Sequence, residues 1–132
     1  MIRDLSPKRG KAAAFVLGWL LCAAASILWA GTPSAPATQL QDLGKYVVSA
    51  VEALKAGNVQ AAKQYYQEFD KGWDRIEDGV RGKSRDIYRK IEGAMSNVKL
   101  KLVKPTKPDQ AAALTALKEL GATIDAALPG LR

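Results

Sequence analysis

Residues 65–95 read YYQEFDKGWDRIEDGVRGKSRDIYRKIEGAM. Apolar side chains recur there every three or four positions: Tyr65, Phe69, Trp73, Ile76 and Val80 before Gly82, then Tyr88, Ile91 and Met95 after Ser84. A period of about 3.6 residues puts each series on one helix face, whereas a half-buried strand needs strict alternation. Gly82 closes the first helix, Ser84 caps the second, and Asp86 in its first turn complements the helix dipole. The stretch predicts two amphipathic helices joined by a tight turn.

The same reading extends in both directions. Upstream, Leu40, Leu43, Val47, Val51 and Leu54 form a stripe that ends at Gly57, a residue suited to the left-handed position after a helix, and Asn58 then caps the helix that carries Ala62. Downstream, Val98 and Leu102 continue the third stripe until Pro105 stops it. Thr106-Lys107-Pro108-Asp109 combines a capping hydroxyl, a first-turn proline and an acid three residues on, and predicts the start of a fourth helix with the stripe Ala111, Leu114, Leu117, Gly121, Ile124 and Leu128. Pro129 and Gly130 end it. Four such helices with short connections define an all-α chain, read as an antiparallel four-helix bundle over residues 38–132. The rival is a helical-repeat solenoid, because Glu52 to Tyr65 resembles one helix-turn-helix unit of a tetratricopeptide repeat; that unit would have to recur about every 34 residues, and residues 90–97 do not repeat it.

Residues 1–37 have another character. Arg3, Lys8, Arg9 and Lys11 precede a run from Ala12 to Ala30 without a charge. A bilayer span needs about 20 apolar residues and a signal-peptide core about 7 to 15, so the run itself fits a signal peptide or an N-terminal membrane anchor. Ala35 and Ala37 make a small-x-small cleavage pattern in a Pro-rich flank, and cleavage after Ala37 is the preferred reading, with retention as an anchor the alternative. Either way the basic end stays in the cytoplasm and residues 38–132 go to the extracytoplasmic side, a periplasm or a thylakoid lumen. Cys22 follows Leu20 and Leu21, where a lipoprotein signal would need a small residue, so lipidation is not expected.

Beyond Ala37 there is no Cys, and the chain has no His. Disulfides, Cys/His zinc sites and thiol or imidazole nucleophiles are thereby excluded from the domain. The net charge of +7 falls to +4 once the four basic residues and one acid of the leader are set aside. The basic residues alternate with acids, unlike a phosphate-tracking stripe, and nucleic acid is not an expected partner. General acid–base catalysis would rest on carboxylates surrounded by cations, and Ser84 has no activating base nearby in sequence, so no enzyme is expected.

Trp73-Asp74-Arg75-Ile76-Glu77 and Tyr88-Arg89-Lys90-Ile91-Glu92 share an aromatic-x-x-Ile-Glu pattern. Each Glu follows its aromatic by four residues and shares its face. Glu77 stands roughly six residues before the turn and Glu92 roughly nine after it, so at about 1.5 Å per residue their heights differ by about one helical turn. Carboxylates on facing helices are how bundles build cation sites, and oxygen-only ligation suits hard cations such as Ca²⁺, Mn²⁺ or iron. Glu77 and Glu92, with Asp70 and Asp74 from the same helix as Glu77, are the candidate metal ligands. The plainer alternative is ion pairing with the abundant basic neighbours, as between Glu77 and Arg81 at i, i+4. Tyr65, Phe69, Trp73 and Tyr88 fall on core stripes. Tyr66, one position off its stripe, and Trp73, expected to be partly covered, are the candidates to face a partner.

Phe69-Asp70-x-x-Trp73-x-x-Ile76-Glu77-Asp78-Gly79-Val80, followed by Ser84-x-x-x-Tyr88-x-x-Ile91-Glu92-x-x-Met95, resembles the helical extracytoplasmic module that accompanies high-affinity iron permeases. The likeness spans residues 40–128 and is strongest over 65–98. It implies iron as the ion, a membrane permease as the partner, and Glu77 and Glu92 as ligands. The Arg-Glu-Gly-x-Glu motif of the permease itself is absent, so the chain is not expected to transport iron on its own. Two roles are therefore expected: a non-catalytic accessory that handles iron or another hard cation beside a permease, or a structural or assembly subunit of a membrane complex, such as a lumenal photosynthetic bundle.

Overall fold

In the computed structural model, residues 34–132 are described, and they are predominantly helical, with no strand among them. The first 33 residues, including the apolar run and Cys22, lie outside the described residues. Helix α1 spans Pro36–Lys55, α2 Val59–Lys83, α3 Arg85–Val98 and α4 Gln110–Ala127; a π-helical turn, Lys99–Val103, extends α3, and a 3₁₀ turn, Leu128–Leu131, follows α4.

The connections obey local chemistry. Pro36 opens α1, where its missing N–H costs no hydrogen bond. At the other end Gly57 adopts φ 79°, the N–H of Asn58 bonds to the Ala53 carbonyl at 2.9 Å, and that of Gly57 to Leu54 at 3.0 Å, which together form a Schellman motif. The Asn58 side chain accepts from the N–H of Ala61 at 2.9 Å and starts α2. Helix α2 passes Gly82 and stops at Lys83. Ser84 alone, extended at φ −155° and ψ 112°, makes the turn, and its hydroxyl accepts from the Ile87 N–H at 3.3 Å. The fourth helix starts later than the capping pattern at Thr106 predicts. Asp109 is its cap, accepting from the Ala112 N–H at 3.1 Å, and Pro108 lies just outside the helix. The residue before a proline is biased toward extended backbone, which leaves Lys107 unsuited to a first turn.

The helices meet in a ring: α1 on α2 and α4, and α3 on α2 and α4. Across each contact the residue numbers run in opposite directions. Gly72 of α2 meets Leu43 of α1, and Gly79 meets Pro36. Gly44 and Val47 of α1 meet Ile124 and Gly121 of α4. Tyr66 of α2 meets Met95 of α3, and Arg81 meets Tyr88. The Asn97 amide of α3 donates to Glu119 of α4 at 3.2 Å, while Gly130 beyond α4 reaches back to Ile87. This is a helical bundle. A solenoid would leave its first and last helices apart, whereas α1 and α4 pack together.

The core contains Leu40, Val47, Leu54, Tyr66, Phe69, Trp73, Val80, Ile91, Met95, Val98, Leu102, Leu117, Leu120, Ile124 and Leu131, all 2% exposed or less. Two parts of the predicted core move. On α2, Tyr66 is buried and Tyr65 is 40% exposed, the reverse of their expected places. On α4, Ala113, Leu117, Leu120, Ile124, Ala127 and Leu131 form the inner stripe; Ala111 is exposed, and Leu114, Gly121 and Leu128 are half-buried. No described helix is long and apolar enough to cross a membrane.

Candidate functional site

The polar and aromatic groups singled out in the sequence gather along the α2–α3 interface. Trp73 and Ile76 from α2 and Tyr88, Ile91 and Glu92 from α3 come from the two aromatic-x-x-Ile-Glu segments, and the one-residue turn at Ser84 brings the segments face to face. The indole N–H of Trp73 donates to Glu92 Oε1 at 2.5 Å. The same indole stacks on the Tyr88 ring, with centroids 6.0 Å apart and planes 17° from parallel. The Arg81 guanidinium lies over the Tyr88 ring, 5.5 Å from its centroid, and Arg81 also pairs with Asp78.

Deeper along the interface the Tyr66 hydroxyl donates to the Met95 carbonyl at 3.2 Å, and Tyr66 packs beside Phe69 with centroids 6.3 Å apart. Burial, with the nearby carboxylates of Asp70 and Glu92 adding to it, pushes the Tyr66 phenol well above its ordinary value. Desolvation raises the Tyr88 phenol too, followed by the charges of Glu92 and Glu77, against the opposing effect of Arg81.

The four proposed metal ligands therefore have different fates. Glu92 is half-buried and takes the indole N–H. Glu77 is half-buried beside the Tyr88 phenol. Asp70 pairs with Lys99 of the π turn at 2.9 Å, and Asp74 is exposed. Among the described residues no three His, Cys, Asp or Glu side chains come together in the manner of a metal centre. Glu77 and Glu92 both lie close to the Tyr88 phenol, and Glu92 is at the same time engaged by the Trp73 indole.

The partner-facing aromatics need correction as well. Tyr66 and Trp73 are each 1% exposed, so neither offers a surface to a partner. The large apolar side chains that do face outward are Tyr46 and Val48 on α1, Tyr65 on α2 and Leu100 in the π turn. Leu100 falls between Val98 and Leu102 of the third stripe, and its flanking lysines, Lys99 and Lys101, are the sequence signal that it stands in water.

Every buried polar side-chain atom among the described residues has a hydrogen-bond partner. The site is thus a satisfied network, with no orphan donor or acceptor aimed at a missing group. Comparison with protein-family models, curated proteins and solved structures finds no match for the chain.

Proposed function

We propose that this chain is a non-catalytic extracytoplasmic accessory protein, an antiparallel four-helix bundle that works by packing against a larger membrane protein complex, with its N-terminal apolar segment as its signal peptide or anchor. The observation that carries this reading is the use to which the bundle puts its chemistry-bearing side chains. Tyr66, Trp73, Glu92 and Asp70 each bond across the α2–α3 interface, so they hold the scaffold together instead of facing a substrate. The run of uncharged residues after four basic ones supports delivery across a membrane.

A second reading gives the same accessory role a cargo: iron or another hard cation handed to a permease. It is favoured by Glu77 and Glu92 both lying beside the Tyr88 phenol. On this reading an ion would have to draw Glu92 away from the Trp73 indole before two carboxylates and a phenol could share it.

Thermal unfolding of the full chain with and without Fe³⁺, Fe²⁺, Mn²⁺ and Ca²⁺, repeated on Glu77→Gln/Glu92→Gln, separates the two. An ion at 100 times its dissociation constant would add about 2.7 kcal/mol. A packing subunit shows no ion-specific rise, and the double variant still co-purifies in fixed stoichiometry with its membrane complex. A rise specific to one ion and lost in the variant would replace the packing role with the cargo role.

A further inference from the structure

We propose that the connection between α3 and α4 is a docking surface for an anionic phospholipid bilayer. Residues 99–107 read KLKLVKPTK, with four lysines and no acid. Leu100 stands 54% exposed at its start, while Leu102 two residues on is fully buried and fixes the π turn to the core. Lys101, Lys104 and Lys107 are exposed and form no ion pair among the described residues.

The acids at this end of the bundle are already engaged. Asp70 holds Lys99, Glu52 holds Lys55 at 2.8 Å, and Asp109 caps α4. The Lys63 ammonium, donating to the Pro105 carbonyl at 3.3 Å, fastens the connection to α2 and adds another positive charge beside it. The outcome is an exposed leucine on a segment with three lysines that lack an ion-pair partner among the described residues, tied to α2 near its start by Asp70–Lys99 and near its end by Lys63.

The chemistry of the charges selects the partner. All the cations in this segment are lysines, which are compact, strongly hydrated point charges on flexible stems; fixed, bidentate recognition of a carboxylate or phosphate group uses arginine. The arginines of the bundle, Arg75, Arg81, Arg85, Arg89 and Arg132, lie toward the opposite end, with Arg81 and Arg85 beside the Ser84 turn. A segment whose only charges are lysines, with one exposed leucine among them, matches a diffuse layer of anionic headgroups with an apolar interior below it. This surface does not depend on the role proposed for the α2–α3 interface.

The full chain with Cys22→Ser and Leu100→Cys, labelled at position 100 with a polarity-sensitive dye, tests the proposal. It is mixed with phosphatidylcholine vesicles that contain or lack phosphatidylglycerol. The expected result is a blue shift with the anionic vesicles only, reversed by high salt. Each lysine near the surface contributes about fivefold, so Lys101→Gln/Lys104→Gln/Lys107→Gln should need roughly a hundredfold more anionic lipid for the same shift. A chain labelled instead at Lys83→Cys, at the far end, should keep the emission of a dye in water. The proposal is overturned by an equal shift in neutral vesicles, by an unchanged response in the triple variant, or by no shift with anionic vesicles, the outcome expected if the lysines serve an acidic protein.

Discussion

Glu92 accepts the indole N–H of Trp73 from across the α2–α3 interface, and the same indole stacks on Tyr88, one helical turn before Glu92. Two side chains of α3 thereby hold one side chain of α2 by its edge and its face. Removing either partner strands the other: Glu92→Ala leaves the buried indole N–H without its acceptor, and Trp73→Phe deprives the carboxylate of its donor.

Glu92→Ala is expected to lower stability by about 1–3 kcal/mol, the cost of leaving a buried donor unpaired. Paired with Trp73→Phe in a double-mutant cycle measured by urea unfolding, it should give a coupling of about 1–2 kcal/mol. Additive single effects would mean that the bond contributes nothing net.

Tyr66 makes the bundle sensitive to alkali. A phenol whose pKa is raised by folding is protonated more firmly in the native state, so its contribution is fully present below the unfolded value of about 10 and is lost as pH climbs toward the folded value. Unfolding free energy should therefore fall with rising pH above about 10. Tyr66→Phe should flatten part of that fall while costing about 1 kcal/mol at neutral pH, through loss of the bond to the Met95 carbonyl. A fall of the same slope in the variant would assign the alkaline loss to other groups.

Glycines on the same bundle should respond in opposite directions. A Cβ on Gly93, inside α3, would meet nothing, and Gly93→Ala should raise stability by about 0.5–1 kcal/mol through helix propensity. Gly72 is different, because a Cβ there would run into the Leu43 side chain where α1 and α2 cross. Gly72→Val should cost about 1–3 kcal/mol by overpacking that crossing. Thermal melts of the two variants give the comparison.

Two adjacent tyrosines and two leucines test the revised core. Tyr66→Ala and Leu120→Ala should each cost about 2–5 kcal/mol, whereas Tyr65→Ala and Leu100→Ala should stay within about 1 kcal/mol of the parent. Equal effects within either pair would contradict the burial pattern.

The helices themselves were legible because their punctuation is chemically specific: Gly57, Asn58, Ser84 and Pro105 each mark a boundary by a local mechanism. Which face turns inward was harder. Tyr65 and Tyr66 both satisfy a spacing of three or four from Phe69, and only the seven-residue repeat Tyr66, Trp73, Val80, close to two full turns, separates them. In α4, leucines on both sides left two stripes of equal quality. Leu114, Leu117 and Leu128 fit one of them; Leu117, Leu120 and Leu131 fit the other, which the packing against α1 and α3 selects.

The aromatic-x-x-Ile-Glu echo correctly marked where α2 and α3 meet. It could not reveal that Glu92 would take the Trp73 indole N–H, because one-dimensional spacing fixes height along a helix but not the direction a side chain takes from the interface. Asp70 shows the same limit. Its partner Lys99 lies 29 positions away, in a π turn whose wider winding no local pattern announced.

The cross-helix ties of α2 and α3 also restrict which alternative packings this sequence can adopt. An interface built of small, similar aliphatic side chains gives little resistance to a slide of one helical turn. Helix α3 has no such latitude: a slip would break Tyr66–Met95, Trp73–Glu92 and Asp70–Lys99 together and leave a buried hydroxyl and an indole N–H unpaired. The paired tyrosine, tryptophan and carboxylates thus act as a registration key, excluding the shifted packings that an all-aliphatic interface would tolerate.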